Sequence, residues 1–229
     1  MPTLQERIDR IGAELVHDTF SHSDIVCKPE EGIIPRCLIL EEKDRDQNTR
    51  GAIVVGINPG RASEKECRHY REHGCTYDAV RDYWWNVRGY DHPYYKQLRQ
   101  FLDEAGLRGP ILWTELVHCE SAAHVKELSV QTIRASIDRY LVREIASVPD
   151  QWPLIGVSAE AYKILAYRFP RRLVIGVPHP TGSRQGQFQR ELMRAGRLAP
   201  LAKQQIANFL NDGNGAGIFQ CRKGDCRFR

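Results

Sequence analysis

Ile53-Val54-Val55-Gly56-Ile57-Asn58-Pro59-Gly60 is the stretch that decides the fold. An apolar run ends abruptly at the polar Asn58, and Pro59 and Gly60 follow it. Such a run is typical of a buried parallel strand, and the Asn-Pro-Gly sequence is typical of the turn that ends one. Ligands of open α/β sheets bind just beyond the carboxyl ends of the strands. The stretch therefore predicts either an ordinary strand with a tight turn or a strand that carries Asn58 into a functional site.

Three more apolar segments alternate with helical patterns along the chain. Strands are predicted over residues 111–117, 153–157 and 173–177. Apolar side chains recur at helical spacing over residues 94–107, after Ser129, after Ser158 and over about 188–210, which predicts helices there. Strands that alternate with helices indicate a parallel sheet covered on both faces. We therefore predict an α/β fold of three layers, α/β/α, with a central four-stranded parallel sheet.

The two ends of the chain complete the predicted domain. Thr3 and Glu6 form a capping box before an amphipathic helix, and residues 33–41 predict a short strand. The 229 residues are enough for one α/β domain with a large core. We predict a single domain over residues 1–211 and a basic tail with Gly and Cys residues over 212–229.

Charge and cysteine usage narrow the class of protein. The 33 Lys and Arg against 29 Asp and Glu give a net charge of +4, and the cations cluster after Gly60 and again over residues 184–197. Such clusters suit phosphate contacts, although a solvated surface is the commoner explanation. No apolar run could span a bilayer, so we expect a soluble, cytoplasmic protein, and a monomer. The seven Cys residues are irregularly spaced and include no CxxC pair, which disfavours disulfides and a metal site; no cofactor is predicted.

Two strand ends carry sequence motifs that belong together. Gly56-Ile57-Asn58-Pro59-Gly60 follows the first core strand, and His179-Pro180-Thr181-Gly182-Ser183 follows the last one. In this order they resemble the uracil-DNA glycosylase superfamily, and most of all its single-strand-selective branch, over about residues 50–190. The first segment is similar to the water-activating motif in its Asn version, and the second to the His-Pro-Ser motif with Thr181 in the Ser place. The resemblance implies the glycosylase fold, with DNA as the partner.

The resemblance also implies catalytic roles for Asn58 and His179. Asn58 would hold a water with its side-chain carbonyl, facing the sugar C1′, and an oxocarbenium-like centre needs only a positioned water. His179 would donate a hydrogen bond to the base O2, where negative charge collects. Gly56 and Ile57 of the first motif would contact the base. Neither motif contains a Lys, so we predict a hydrolytic, monofunctional enzyme rather than a Schiff-base lyase.

The resemblance to the superfamily also implies positions that would bind the base and the DNA. Gly74-Cys75-Thr76-Tyr77 matches a Gly-x-x-aromatic segment of the family, so Tyr77 would stack on the flipped base. Gly60 stands where the tightly uracil-specific branch has a bulky Tyr, which leaves room for a C5 substituent. The loop after His179 would enter the DNA. The residues expected to bind DNA are Arg61, Thr181, Ser183 and Arg184.

Glu115 is where the chain departs from the family pattern, because an Asn usually reads the base there. An ionised Glu only accepts hydrogen bonds, so it would repel the O4 of uracil and accept from the 4-amino group of cytosine. With Gly60, this favours a C5-modified cytosine, as in superfamily members that remove hypermodified cytosines from phage DNA. Burial of Glu115 would reverse the conclusion if it raised the pKa until the carboxyl donates to O4.

Three functions remain open at this point. The first is a DNA glycosylase for a C5-modified cytosine, the second a uracil-DNA glycosylase, and the third a nucleic-acid-binding protein without turnover. Only Cys119 matches the four Cys residues that hold a cluster in the iron–sulfur branch. We therefore predict no iron–sulfur cluster. Cys27, Cys37 and Cys119 could still lie close together in the fold, which the structure can test.

Overall fold

A computed structural model describes the chain apart from residues 1, 19, 21, 89–90, 124–126, 182–184, 213–219, 223–224 and 228–229. Within the described residues, no helix is both long enough and apolar enough to cross a membrane. The chain divides into two compact units, each assembled from separated segments. Unit 1 comprises Met1–Leu40, Gly56–Tyr90 and Trp113–Pro149, and unit 2 comprises Glu41–Val55, Asp91–Leu112 and Asp150–Arg229.

Helices and short strands alternate along the described chain. The α-helices are α1 Leu4–Val16, α2 Glu64–Glu72, α3 Tyr77–Asp82, α4 Pro93–Glu104, α5 Val130–Ser136, α6 Val142–Ser147, α7 Ala159–Arg168, α8 Gln185–Gln187 and α9 Pro200–Asp212. A 3₁₀ turn covers Pro29–Glu31, and π-helical segments cover Tyr83–Arg88, Ile137–Leu141 and Phe188–Leu192. The strands are β1 Ile25–Val26, β2 Ile39–Glu41, β3 Ala52–Gly56, β4 Ile111–Glu115, β5 Glu120–Ser121, β6 Leu154–Val157, β7 Val174–Val177, β8 Met193–Arg194, β9 Arg197–Leu198, β10 Gln220–Arg222 and β11 Asp225–Arg227.

The main sheet has five strands in the order β2-β4-β3-β6-β7. β6 is parallel to β3, with Val54 opposite Ile155, and parallel to β7, with Ile155 opposite Ile175. Every residue of β3, β6 and β7 is buried, as continuous apolar runs in a parallel sheet require. The α/β class and a mostly parallel central sheet are confirmed. The predicted count of four strands is wrong, because the three-residue β2 also joins the sheet; the three-layer arrangement stays a prediction.

Local sequence signals predicted several of the α-helices. Thr3 accepts from the Glu6 N–H and the Glu6 side chain accepts from the Thr3 N–H, so the predicted capping box is present. Ser129 and Ser158 cap α5 and α7 as their positions indicated. The helix predicted over 188–210 is wrong: a turn with positive φ at Ala195 and Gly196 joins β8 to β9, and α9 begins only at Pro200.

The predicted tail begins inside α9, which continues to Asp212. Residues 213–219 of the predicted tail lie outside the described residues. Beyond them, β10 pairs with β11 in antiparallel register, with Cys221 opposite Cys226 along the backbone. The division into a domain and a tail stays a prediction.

Candidate active site

Asn58 lies in the turn that follows β3, within unit 1, and its side chain is half-buried. Its Nδ2 donates to Ser121 Oγ at 3.0 Å and to the Pro59 carbonyl at 3.2 Å. Both hydrogens of the amide are therefore used, and Oδ1 has no hydrogen-bond partner among the described residues. The amide is held in an orientation that leaves its carbonyl oxygen available to accept a hydrogen bond.

Glu115 ends β4 and is buried in unit 1, next to Gly56. A Cβ added at Gly56 would collide with Glu115 Oε2, so a larger residue at this position of β3 would have to displace the Glu115 carboxyl group. Oε2 is buried and has no hydrogen-bond partner among the described residues. Burial raises the pKa of Glu115 to about 8, although the nearby His118 and Arg36 cations lower it in part. At neutral pH the protonated carboxyl prevails, so the expectation that rested on an ionised Glu115 loses its physical basis.

His118 and Glu144 form a buried pair beside this carboxyl. His118 Nε2 lies 2.9 Å from Glu144 Oε1, and His118 Nδ1 lies 3.1 Å from the carbonyl of Arg36. Glu144 Oε2 also accepts from Thr114 Oγ1 at 2.6 Å. Burial alone would lower the pKa of His118, but the Glu144 carboxylate and the Arg36 carbonyl raise it above its ordinary value. An imidazolium fits this site, because Nδ1 can donate to the Arg36 carbonyl while Nε2 faces the Glu144 carboxylate as an ion pair without an aligned hydrogen bond.

His179 lies two residues beyond β7, in unit 2, and is half-buried. Its Nδ1 is 3.0 Å from the Thr181 carbonyl and 3.3 Å from both the Thr181 N–H and Oγ1. The Tyr94 ring at the start of α4 lies with its centroid 5.2 Å from the His179 ring. The Thr181 carbonyl requires a proton on Nδ1, whereas the Thr181 N–H requires Nδ1 to accept, so these contacts fit either tautomer. Only in the arrangement in which Nδ1 accepts does the neutral imidazole carry its proton on Nε2, which has no hydrogen-bond partner among the described residues.

Tyr77 is placed differently from its predicted role. Its side chain is only 5% exposed, its hydroxyl donates to the Leu38 carbonyl at 2.8 Å, and its ring packs so closely on Gly12 that no Cβ would fit there. The ring belongs to the core between α1 and α3. The prediction that Tyr77 stacks on a base is therefore wrong, because its faces are already covered by protein.

The remaining predicted positions are spread over both units. Gly60 is exposed, and a Cβ added there would meet nothing within 4 Å; that this space takes a C5 substituent stays a prediction. Ile57 is half-buried and Arg61 is exposed. Thr181 Oγ1 lies 3.3 Å from His179 Nδ1, and its contact with DNA stays a prediction. Ser183 and Arg184 lie outside the described residues.

Sequence reasoning did not identify two residues near strand ends: Ser158, which follows β6, and Tyr94, whose ring lies beside His179 after β7. Ser158 follows β6 and has φ of 124° and ψ of 166°, a conformation that is essentially restricted to glycine and that clusters at functional sites. Its sequence indicated only a helix cap, which it also is. Tyr94 starts α4 after Pro93, and helical spacing alone gave no sign that its ring meets His179.

The cysteines show no arrangement suited to a metal ion in the described part of the chain, where no group of three or more His, Cys, Asp or Glu side chains is placed to bind one. Cys27 packs against the cluster of Ile25, Val117 and Cys119, and Cys37 is not part of that cluster. Burial raises the pKa of Cys119 to about 12, so this thiol stays protonated at neutral pH.

Comparison with known proteins leaves the family unassigned. No family model matches the chain, and no curated protein matches it. Among solved structures it is similar to the crystal structure of wild-type Pedobacter heparinus SMUG2, with 11% identity, a TM-score of 0.41, and coverage of 93% of this chain and 97% of that chain. Similarity at this TM-score and identity establishes neither a shared fold nor a shared activity.

Proposed function

We propose that the chain is a monofunctional DNA glycosylase that hydrolyses the bond between the sugar and a flipped pyrimidine base, leaving an abasic site. The observation that carries the proposal is the Asn58 amide at the carboxyl end of β3. Ser121 and Pro59 take both of its hydrogens, which presents Oδ1 as a fixed acceptor. A fixed acceptor at this edge of a parallel sheet is suited to holding one water molecule.

The proposed reaction balances with one water and no other co-reactant. The bond from C1′ to the base nitrogen breaks, and its electron pair leaves with the base. The water oxygen bonds to C1′, while Asn58 Oδ1 holds one of the water hydrogens, and the proton lost from the water is taken up by the departing base or by solvent. His179 Nε2–H donates to the base O2, where the charge builds up. Extrusion of the nucleotide costs a few kcal/mol, which DNA contacts such as Arg61 would offset.

A cytosine enlarged at C5, such as glucosylated hydroxymethylcytosine, is the proposed substrate. The open space at Gly60 supports it, because nothing lies within 4 Å of a Cβ added there. A protonated Glu115 would accept from the 4-amino group through its carbonyl and donate to N3 through its hydroxyl. An ionised Glu115 would keep the first of these bonds.

Uracil is a second candidate, and the protonation of Glu115 favours it. With a pKa of about 8, the buried carboxyl carries a hydroxyl at neutral pH and would donate to O4 while accepting from N3–H. Above pH 8 the ionised carboxylate would instead face O4 with like charge. Uracil release would therefore decline above pH 8, whereas release of a cytosine-type base would keep one hydrogen bond.

The test is abasic-site formation in single-stranded and duplex oligonucleotides that contain uracil, cytosine, 5-hydroxymethylcytosine or its glucosylated form. We expect release of the glucosylated base, and Asn58→Ala should lower kcat about 10³-fold, because the water loses its position. Asn48→Ala, an exposed Asn in a loop, is the matched control and should change nothing. Gly60→Tyr should abolish release of the enlarged base but spare uracil.

The outcomes separate the alternatives. Release of uracil alone, declining above pH 8, would replace the modified-cytosine proposal by the uracil one. DNA binding without release of any base, unchanged in Asn58→Ala, would favour a binding protein without turnover and would end the glycosylase proposal.

A further inference from the structure

Arg36 is a buried cation that precedes β2 and lies far in sequence from the Asn58 turn. Its side chain is 3% exposed. Nε lies 3.0 Å from Glu66 Oε1, Nη2 lies 3.2 Å from Glu120 Oε2, and Nη2 also donates to the carbonyl of Gly60. One guanidinium therefore joins α2, β5 and the turn after β3, all within unit 1.

Glu120 also holds this turn. Its Oε2 accepts from the Ala62 N–H at 2.8 Å while it also faces Arg36. The next residue of β5, Ser121, accepts from Asn58 Nδ2, and β5 is fixed by its pairing with β1, where Val26 lies opposite Glu120. Three successive points of the turn, at Asn58, Gly60 and Ala62, are thus bonded to Arg36 or to β5.

Arg36 and Glu120 together form a clamp on the turn Asn58–Ala62, and the chemistry of this clamp requires arginine. A planar guanidinium can bind two carboxylates and a carbonyl at once in fixed directions, whereas an ammonium is a single point charge. Glu66 is held in turn by the Tyr70 hydroxyl at 3.0 Å. Two buried carboxylates face one cation, and a buried ion pair contributes little net stability compared with apolar packing, so specificity of geometry is the better reason for its presence.

We propose that Arg36 and Glu120 are positioning residues that set the orientation of the Asn58 amide through the turn Asn58–Ala62. This inference rests on the proposed function, because the positioned group is the one that would hold the water. Neither residue touches the substrate; each acts through the backbone of the turn. Disturbing the clamp would let Asn58 Oδ1 sample orientations in which the water is misplaced, which costs rate rather than binding.

The chain offers a matched control in unit 2. Arg99 Nε lies 2.8 Å from Glu41 Oε1, and the Glu41 side chain is fully buried. This pair has the same chemistry and similar burial but contains none of the residues of the turn. Glu41→Gln and Arg99→Lys should therefore lose the stability that a buried arginine–carboxylate pair provides, while the clamp stays intact.

The experiment combines amide hydrogen exchange with steady-state kinetics on the oligonucleotide that the wild type cleaves best. In Glu120→Gln we expect exchange at the Ala62 amide to rise at least tenfold, with kcat about tenfold lower and KM within twofold of the wild type. Arg36→Lys, which retains the charge, is the second variant and should show the same split. Glu41→Gln and Arg99→Lys should leave Ala62 exchange and kcat unchanged.

Two results would overturn the inference. Unchanged Ala62 exchange in both folded clamp variants would show that the turn does not depend on them, and faster exchange with unchanged kcat would show that the clamp does not position Asn58 for the reaction. If the wild type releases no base from any oligonucleotide, the proposed function fails and the positioning role falls with it, while Ala62 exchange still decides whether the clamp exists.

Discussion

The turn at Asn58 and the turn at His179 occupy the same kind of place in the fold but are held by different means. Each begins two residues after a parallel strand and continues with a proline. Asn58 is fixed by Ser121, far along the chain, and its turn by Arg36 and Glu120. His179 is bonded to Thr181, two residues away. Equivalent positions in a sheet can thus be built by tertiary contacts or by local sequence.

The difference has consequences for what a mutation should do. A change in the Asn58 clamp leaves buried charges unpaired, so it should affect stability and activity together. A change at His179 removes local bonds of a half-buried ring, so it should affect activity while stability is nearly unchanged. This contrast can be tested directly.

The largest expected effect is on catalysis at His179. His179→Asn should lower kcat by about 10²–10³-fold, because a donor to the developing charge on the base is lost. Its Tm should stay within about 2 °C of the wild type, whereas Arg36→Lys should lower Tm by several degrees. The measurements are single-turnover base release and thermal unfolding. His73→Asn, at an exposed histidine, is the control, and a large fall in Tm for His179→Asn would contradict the contrast.

The next effect concerns Glu115 and the dependence of stability on pH. The pKa of this carboxyl is about 8 in the folded protein and near its ordinary 4.5 in the unfolded chain. Below pH 4.5 both states hold the proton; as the pH rises further, only the unfolded state ionises, so the free energy of unfolding falls until the pH passes 8. Each pH unit that separates the folded and unfolded pKa values corresponds to about 1.4 kcal/mol of stability.

Glu115→Gln should remove this dependence, because Gln does not ionise. Relative to the variant, the wild type should lose about 3 kcal/mol of stability between pH 5 and pH 8, as measured by urea unfolding at each pH. The exposed Glu64→Gln serves as the control and should show no such trend. If the stabilities of the wild type and Glu115→Gln instead changed in parallel with pH, Glu115 would be ionised at neutral pH. That result would restore the case that Glu115 recognises cytosine by only accepting a hydrogen bond.

The smallest expected effect is at Ser158, the residue that follows β6, where the backbone is strained and no buried ion pair is involved. Its φ of 124° costs about 1–3 kcal/mol for a residue with a side chain, while loss of its cap on α7 costs only a few tenths when glycine replaces serine. Ser158→Gly should therefore raise stability by about 1 kcal/mol in urea unfolding. Ser63→Gly, a cap of α2 with ordinary φ, should lower it slightly; equal losses in both variants would argue against strain at Ser158.

Several features could be predicted from the sequence because their causes are local. The capping box of Thr3 and Glu6 and the caps of α5 and α7 depend on residues three or fewer positions apart. Continuous apolar runs identified β3, β4, β6 and β7. The helix expected over 188–210 failed because Ala195 adopts φ of 48°, which its residue type does not indicate. Tyr77 failed because a Gly-x-x-aromatic pattern says nothing of the Gly12 surface that covers its ring.

By itself, the sequence determined the α/β class, the succession of the core strands along the chain and the positions of Asn58 and His179 just beyond strand ends, because apolar periodicity and turn chemistry are written in neighbouring residues. Only the tertiary structure decided that Glu115 is buried without a hydrogen-bond partner for Oε2, and hence protonated at neutral pH, and that Arg36 reaches the turn after Asn58. Burial and ion pairing join residues from distant segments, and no local pattern encodes which segments meet.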